Sequence, residues 1–352
     1  MAAYTTIDNP ELFFEQLLWT GNGANGRALT WDGDNDFAAN LIIIRGRVAT
    51  ARTTFYDTIR GVQKKLDWTQ NAAEATETDG LTAFSSDGFT IGSTGEVNYN
   101  NDTFEAFGFK AGTTSGISGS PSITPAGYSF NATSGFSIIT WTGTGANATL
   151  PHGLGVAPGL ILIKNRDGGH WRVYHHKNTS APETDFLVLS GTEATSDNNT
   201  AFNDTAPTST LFSVGSMDET NKNTEGMVAY CFAEKQGFSK FGQYEGNNNA
   251  DGPCVNLGFR PSIVITKAID TTSNWLAFDS KRSPFNDVDD YMKLNATASE
   301  DTGSSDVQMD FLSNGFKLRG NNSVVNGAET YVYLAFAESP FVNSNGVPNN
   351  AR

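Results

Sequence analysis

Asp32-Gly-Asp34-Asn-Asp36 sets three carboxylates on alternate residues, the spacing with which calcium loops begin. Phe37 stands where such a loop needs glycine, and no closing glutamate follows. The triplet Asp32, Asp34 and Asp36 therefore reads as an acidic turn that offers at most an adventitious calcium site. All four histidines fall between His152 and His176. His175 and His176 are adjacent, so on a strand they point to opposite faces and cannot easily share one metal. Gly21-Asn-Gly23-Ala-Asn-Gly26 has the spacing of a dinucleotide loop, but no helical pattern follows it. Nucleophile-elbow, zinc-protease and phosphate-loop signatures are missing. Carboxylates are many, yet none are marked by placement as a glycosidase acid pair. These residues imply no catalytic group and no cofactor.

The elements that would have to position such groups come three times over. Trp19-Thr-Gly-Asn-Gly-Ala-Asn25 returns as Trp141-Thr-Gly-Thr-Gly-Ala-Asn147 and, more loosely, as Tyr244-Glu-Gly-Asn-Asn-Asn249. The run Leu41-Ile-Ile-Ile-Arg45 recurs as Leu160-Ile-Leu-Ile-Lys164 and Ile263-Val-Ile-Thr-Lys267. Phe89 to Phe212 and Phe109 to Phe232 are both 123 positions apart, while Phe212 to Phe316 and Phe232 to Phe336 are both 104 apart. Constant spacing of matched landmarks marks a repeated unit the size of a small domain. Cys231 falls in register with Gly108 and Ala335, a position that takes only small side chains, so its thiol reads as a small hydrophobe. Cys254 has no counterpart, and whether the two thiols meet stays open. Trp171 and Trp275 share a repeat position, whereas Trp31 and Trp68 stand off the grid. Rings the common core does not need are candidates for stacking on a sugar or a partner, so Trp31 and Trp68 are the candidate ligand-binding residues.

The repeats read as strands. Tyr331-Val-Tyr-Leu-Ala-Phe-Ala337 alternates cleanly, and the Leu41, Leu160 and Ile263 runs are apolar on both faces, as in central strands covered on each side. Asp87-Gly88 and Asn314-Gly315 are hairpin dipeptides. The expected organisation is an N-terminal docking segment 1–16, β-sandwich units at 17–111, 135–236 and 237–341, a Gly/Ser/Thr-rich linker 112–134 and a polar tail 342–352. Asp8-Asn-Pro-Glu11 is a helix start, and Leu12, Phe13, Phe14, Leu17 and Leu18 give the helix an apolar face. So short a helix must dock, either as a lid on the first sandwich or as an anchor on a neighbouring protein.

A net charge of −15 and the lack of a basic run speak against nucleic acid. No stretch approaches the length of a membrane helix, and the first ten residues lack signal-peptide character, so synthesis in the cytoplasm without membrane insertion is expected.

Several stretches together resemble a family of phage virion proteins of marine and cyanobacterial viruses: Ala3-Tyr-Thr-Thr-Ile-Asp-Asn-Pro10, Trp19-Thr-Gly-Asn-Gly, Ile59-Arg-Gly-Val-Gln63, Ser86-Asp-Gly-Phe-Thr-Ile-Gly92, Pro151-His-Gly-Leu-Gly-Val-Ala-Pro158, Ala229-Tyr-Cys-Phe-Ala-Glu234 and Gly258-Phe-Arg-Pro261. The resemblance covers nearly the whole chain. It implies an all-β fold of three tandem jelly-roll or concanavalin-like sandwiches behind the short helical segment, and it brings no catalytic residues. The function expected from it is that of a virion structural protein, a tail fibre or receptor-binding appendage. Such a protein would be made in the host cytoplasm, self-associate as a trimer, bind other virion proteins and touch a host surface glycan. The alternatives are a capsid decoration or head fibre protein and a glycan-degrading tailspike.

Overall fold

Alternating apolar residues and β-branched runs fold as strands throughout. The computed structural model, which describes residues 4–48 and 50–350, is 40% strand and 5% helix. The first three residues of the 1–16 segment and the last two of the tail lie outside the described residues.

In the first repeat the chain forms β1 (Phe14–Thr20), β2 (Arg27–Leu29), β3 (Leu41–Gly46), β4 (Thr53–Asp57), β5 (Lys64–Asp67), β6 (Ala75–Thr76), β7 (Leu81–Ser85), β8 (Gly88–Ile91), α1 (Gly95–Asn98) and β9 (Thr103–Phe109). Its larger sheet has the order β1-β9-β3-β4-β5-β6, its smaller sheet β2-β8-β7. The second repeat forms β10 (Gly127–Asn131), β11 (Phe136–Thr142), β12 (Ala148–Pro151), β13 (Leu160–Asn165), β14 (Arg172–His175), β15 (Asp185–Val188), β16 (Ser196–Asp197), α2 (Asn199–Phe202), β17 (Leu211–Val214), α3 (Asp218–Asn221) and β18 (Gly226–Phe232). Its sheets are β10-β11-β18-β13-β14-β15-β16 and β12-β17. The third forms β19 (Ser239–Glu245), β20 (Cys254–Asn256), β21 (Phe259–Ala268), β22 (Leu276–Asp279), β23 (Met292–Lys293), β24 (Met309–Leu312), β25 (Gly315–Leu318), α4 (Ser323–Asn326) and β26 (Thr330–Pro340). Its sheets are β19-β26-β21-β22-β23 and β20-β25-β24.

Each larger sheet packs one face on its own smaller sheet. Trp19, Ile42, Phe89 and Phe104 fill that layer in the first repeat, Trp141, Ile161, Phe212 and Met227 in the second. The opposite faces meet one another. Repeat-equivalent Phe109, Phe232 and Phe336 form a triangle with ring centroids 5.4, 5.0 and 5.9 Å apart, so a pseudo-threefold axis runs through one core shared by all three repeats. Tandem in sequence, the units close into a ring in space. A two-sheet unit whose second face stays apolar cannot bury it alone, and closure on two sister units does so. This is why β3, β13 and β21 are apolar on both faces, as the sequence predicts.

The N-terminal segment departs from expectation. Asn9 does cap a turn, its Oδ1 accepting from Glu11 N at 3.1 Å, but the turn is a single 3-10 stretch, Pro10–Leu12. Residues 14 to 20 are then taken up by the ladder of β9, from Phe14 opposite Phe109 to Thr20 opposite Thr103. A two-turn helix is marginal in water, and an open sheet edge offering a full ladder outcompetes it. The segment also closes the ring. Tyr4 OH donates to Gly258 O (2.9 Å), Thr5 Oγ1 to Gln236 O (2.7 Å), and Ile7 is buried in the shared core. The 112–134 stretch is not a free linker either: it supplies β10, which pairs with β11, and it buries Ile123. The tail is held by Ser344 N on Asp8 Oδ1 (2.6 Å) and by Asn350 O accepting from Arg260 (2.9 Å).

The conserved spacing of the glycine loops has a local cause that sequence reading missed. Asn98, Asn221 and Asn326, each ending one of the short helices, are buried and clamp the loop of their own repeat. Asn98 accepts from Asn22 N and donates to Ala24 O; Asn221 accepts from Thr144 N and donates to Ala146 O; Asn326 accepts from Asn247 N and donates to Asn249 O. The chains approach so closely that a Cβ on Gly21, Gly143 or Gly246 would lie 1.9–2.0 Å from a carbonyl oxygen of the facing segment.

Candidate functional site

Several buried titratable side chains lie at the three joints of the ring. Asp57, His175 and Asp279 occupy equivalent places, opposite Leu41, Leu160 and Ile263. At the first joint Asp57 Oδ2 binds Arg60 and accepts from Tyr230 OH (2.7 Å), while Arg60 and Arg166 both hold Glu74. At the third joint Arg282 lies between Asp279 and Glu105, with Nε 3.2 Å from the Glu105 carboxylate. Burial pushes the Glu105 carboxyl well above the usual range, with nearby Asp279 adding to the shift and Arg282 opposing it. At the second joint a histidine takes the place of the aspartate. His175 is buried, its Nε2 donating to Tyr333 O at 3.2 Å and its Nδ1 accepting from Lys177 N. Burial drives its pKa down to about 3, which keeps the ring neutral.

The residues singled out from sequence do not converge. Trp31 packs against Phe37 and Phe89 inside the first repeat, and Trp68 lies beside Phe55 in the shared core with its Nε1 donating to Leu189 O at 2.6 Å. Each is 3% exposed, so neither offers a stacking surface; a ring off the repeat grid can still be structural. The rings that do reach solvent, Phe285 and Tyr99, carried no repeat signal. The docking residues split by strand alternation. Phe14 stacks on Phe336 and lies tilted against Phe109, Leu17 enters the first repeat's own core, Phe13 meets Phe238, Leu18 is half-buried, and Leu12 alone is exposed. Asp32 pairs with Lys281 at 2.7 Å, while Asp34 and Asp36 are exposed. Among the described residues no group of three or more His, Cys, Asp and Glu side chains is placed to hold a metal. Cys231 is buried, its thiol pushed up to about 12 by burial, and Cys254 is exposed; both are free. At the Cys231-equivalent Gly108, a Cβ would come within 2.7 Å of Trp31 and Phe37, which explains the preference for small residues.

The places open to ligands include clefts between repeats, bounded by an edge of one larger sheet and the turn after β4, β14 or β22 of its neighbour. Between the first and second repeats β10 occupies this place, running beside Ile59. Between the third and first lies a cleft of about 310 Å³ that contains Glu15 and Lys281. Between the second and third lies the largest, about 850 Å³, walled by β19 and His176–Ser180.

Glu15 has a consequence for stability. Its Oε1 is buried without a hydrogen-bond partner, and burial, then the charge of Glu11, raises its carboxyl to about 8, with Lys281 opposing. The folded state holds this proton where the unfolded chain has lost it. The stabilisation is therefore full below pH 4.5 and is lost as pH rises toward 8, by at most about 1.4 kcal/mol per pH unit. Glu15→Gln should match the parent in urea unfolding at pH 4 and exceed it by about 1–3 kcal/mol at pH 8. Equal midpoints at pH 8 would show that Glu15 ionises freely in the fold.

No helix among the described residues is long and apolar enough to cross a membrane. A sequence-family model described as "Domain of unknown function (DUF7483)" matches residues 9–340. No curated protein matches the chain.

Proposed function

We propose that this chain, which belongs to the DUF7483 family, is a non-enzymatic structural protein of a phage virion, serving as a tail fibre or receptor-binding appendage. The observation that supports this reading best is the closed ring. Three sandwich-like repeats share one core, the N-terminal segment and the tail are both pinned to the third repeat, and the buried carboxylates of the first and third joints are engaged with arginines. Such a module resists unfolding and proteolysis and keeps a fixed shape, which suits an exposed appendage. Each pair of sheets is read as one concanavalin-like sandwich domain. Self-association as a trimer belongs to the same proposal, since three copies would multiply weak contacts through effective concentration. Contact with a host surface glycan would fall to exposed rings such as Tyr99 and Phe285.

Quantitative mass spectrometry of purified particles tests the placement. The chain should be present at the copy number of tail components. A copy number matching the capsid lattice would move it to head decoration, and absence from particles would end the virion reading. Incubation with host surface polysaccharide should release no new reducing ends; turnover abolished by one Asp or Glu substitution would make it a tailspike enzyme.

A further inference from the structure

Of the three clefts, one is filled by a strand of the chain itself, and that strand is a template for what the largest cleft accepts. Ile138 of β11 and Phe241 of β19 are equivalent: they lie opposite Tyr230 and Leu334, which are 104 positions apart. On β11, Ile138 is met from outside by Ser129 of β10, which completes the ladder. On β19 no strand follows among the described residues. Two side chains stand in for one instead: Glu234 Oε1 accepts from Phe241 N at 2.8 Å, and His176 Nε2 donates to Phe241 O at 2.6 Å. Exposed Gln243, two residues on, turns its N–H and C=O to the same side by the alternation of an antiparallel edge, and among the described residues no hydrogen bond reaches them from the cleft.

We propose that the cleft between the second and third repeats docks an extended polypeptide segment of a partner protein, added antiparallel to β19 as β10 is added to β11. An open edge is a template for strand addition, with backbone bonds giving affinity and alternate side chains giving selectivity. The partner's chemistry follows from β10. Gly127 faces the turn that carries Ile59, where a Cβ would already be 3.0 Å from the Ile59 methyl, and Ser129 is fully buried. Tyr128, one step along, faces the layer of the second repeat. The cleft therefore takes small residues toward His176–Ser180 and an aromatic residue on the other face. The cleft between the third and first repeats is a poorer host, since Glu15 and Lys281 line its smaller volume. The inference does not depend on placement in a virion.

Disulfide trapping on the full chain tests it. Cys254→Ser removes the exposed thiol, and Gln243→Cys places a new one at the edge. The probe is a synthetic peptide of residues 124–134 with Gly127→Cys, the residue that faces the equivalent Thr140 in the native hairpin. In a thiol redox buffer this peptide should be captured at least about tenfold more than a scrambled one, the return from one or two added backbone hydrogen bonds. The His176→Ala, Glu234→Ala chain frees Phe241 and should capture several-fold more. Equal capture of the two peptides overturns the proposal, as does capture unchanged or lowered by freeing Phe241. Specific retention of an oligosaccharide in the cleft, with no peptide preference, would assign it to a glycan instead.

Discussion

Replacing Phe336 by alanine should lower the stability of the entire chain by about 4 kcal/mol, a large share of the 5–15 kcal/mol of a typical protein. Its ring touches Phe14, Phe109, Phe232, Phe238 and Phe241, which come from all three repeats and the N-terminal strand. Removing it opens a cavity on the pseudo-threefold axis, where no single repeat can relax to fill the space. Because the shared core belongs to no one repeat, urea unfolding of parent and variant should each show one transition, coincident by circular dichroism and tryptophan fluorescence. Trp19 and Trp141 report the separate layers of two repeats, and Trp68, Trp171 and Trp275 the shared core. Separate transitions, or a loss below about 1 kcal/mol, would mean that the repeats are independently stable sandwiches that merely touch.

Much of this architecture is legible in the sequence. Alternation in Tyr331 to Ala337 gives a strand, and Asn314-Gly315 gives the turn between β24 and β25, where a Cβ on Gly315 would lie 1.9 Å from Val255 O. The equivalence of Trp171 and Trp275 survives as two indoles that each donate across a joint, to Asp67 O and Val188 O. What periodicity cannot say is what covers an apolar face. The both-sided runs at Leu41, Leu160 and Ile263 announce a second covering layer, yet nothing local states that the sister repeats are that layer. The same limit explains the N-terminal segment. Asn9 and Pro10 encode their turn correctly, but the fate of Phe14 to Thr20 is settled by an edge almost ninety residues away in the chain. Lacking repeat partners makes Trp31 and Trp68 candidates for stacking on a ligand, yet both are buried; the repeats and their joints are not identical, and each recruits its own side chains. The cleft beside β19 left no signal, being defined by a strand present in one repeat and missing from another.

That inequality of the joints leads to the sharpest electrostatic test. Arg282 has a fully buried side chain and serves four partners: Asp279, Glu105, Glu300 and the carbonyl of Ala277. A buried ion pair need not be better than an apolar substitute, but removing one partner strands the other charges in the interior. Arg282→Met should therefore cost about 3–5 kcal/mol, with Glu105 and Asp279 left facing each other. The sign of the pH dependence follows from Glu105, whose carboxyl already lies above its ordinary range because of burial. Losing Arg282 removes the opposing influence and raises it further, so the stabilisation from holding this proton is present at low pH and lost as pH rises. The deficit of Arg282→Met should be small near pH 5 and largest near pH 8, and adding Glu105→Gln should recover much of the loss at pH 8. His175, in the equivalent place at the second joint, needs no cation because it is neutral, so His175→Gln should show no such rise in cost with alkaline pH. If Arg282→Met is equally destabilised at both pH values, or Glu105→Gln does not rescue it, the arginine acts through packing and its bond to Ala277 O instead of neutralising the carboxylates at that joint.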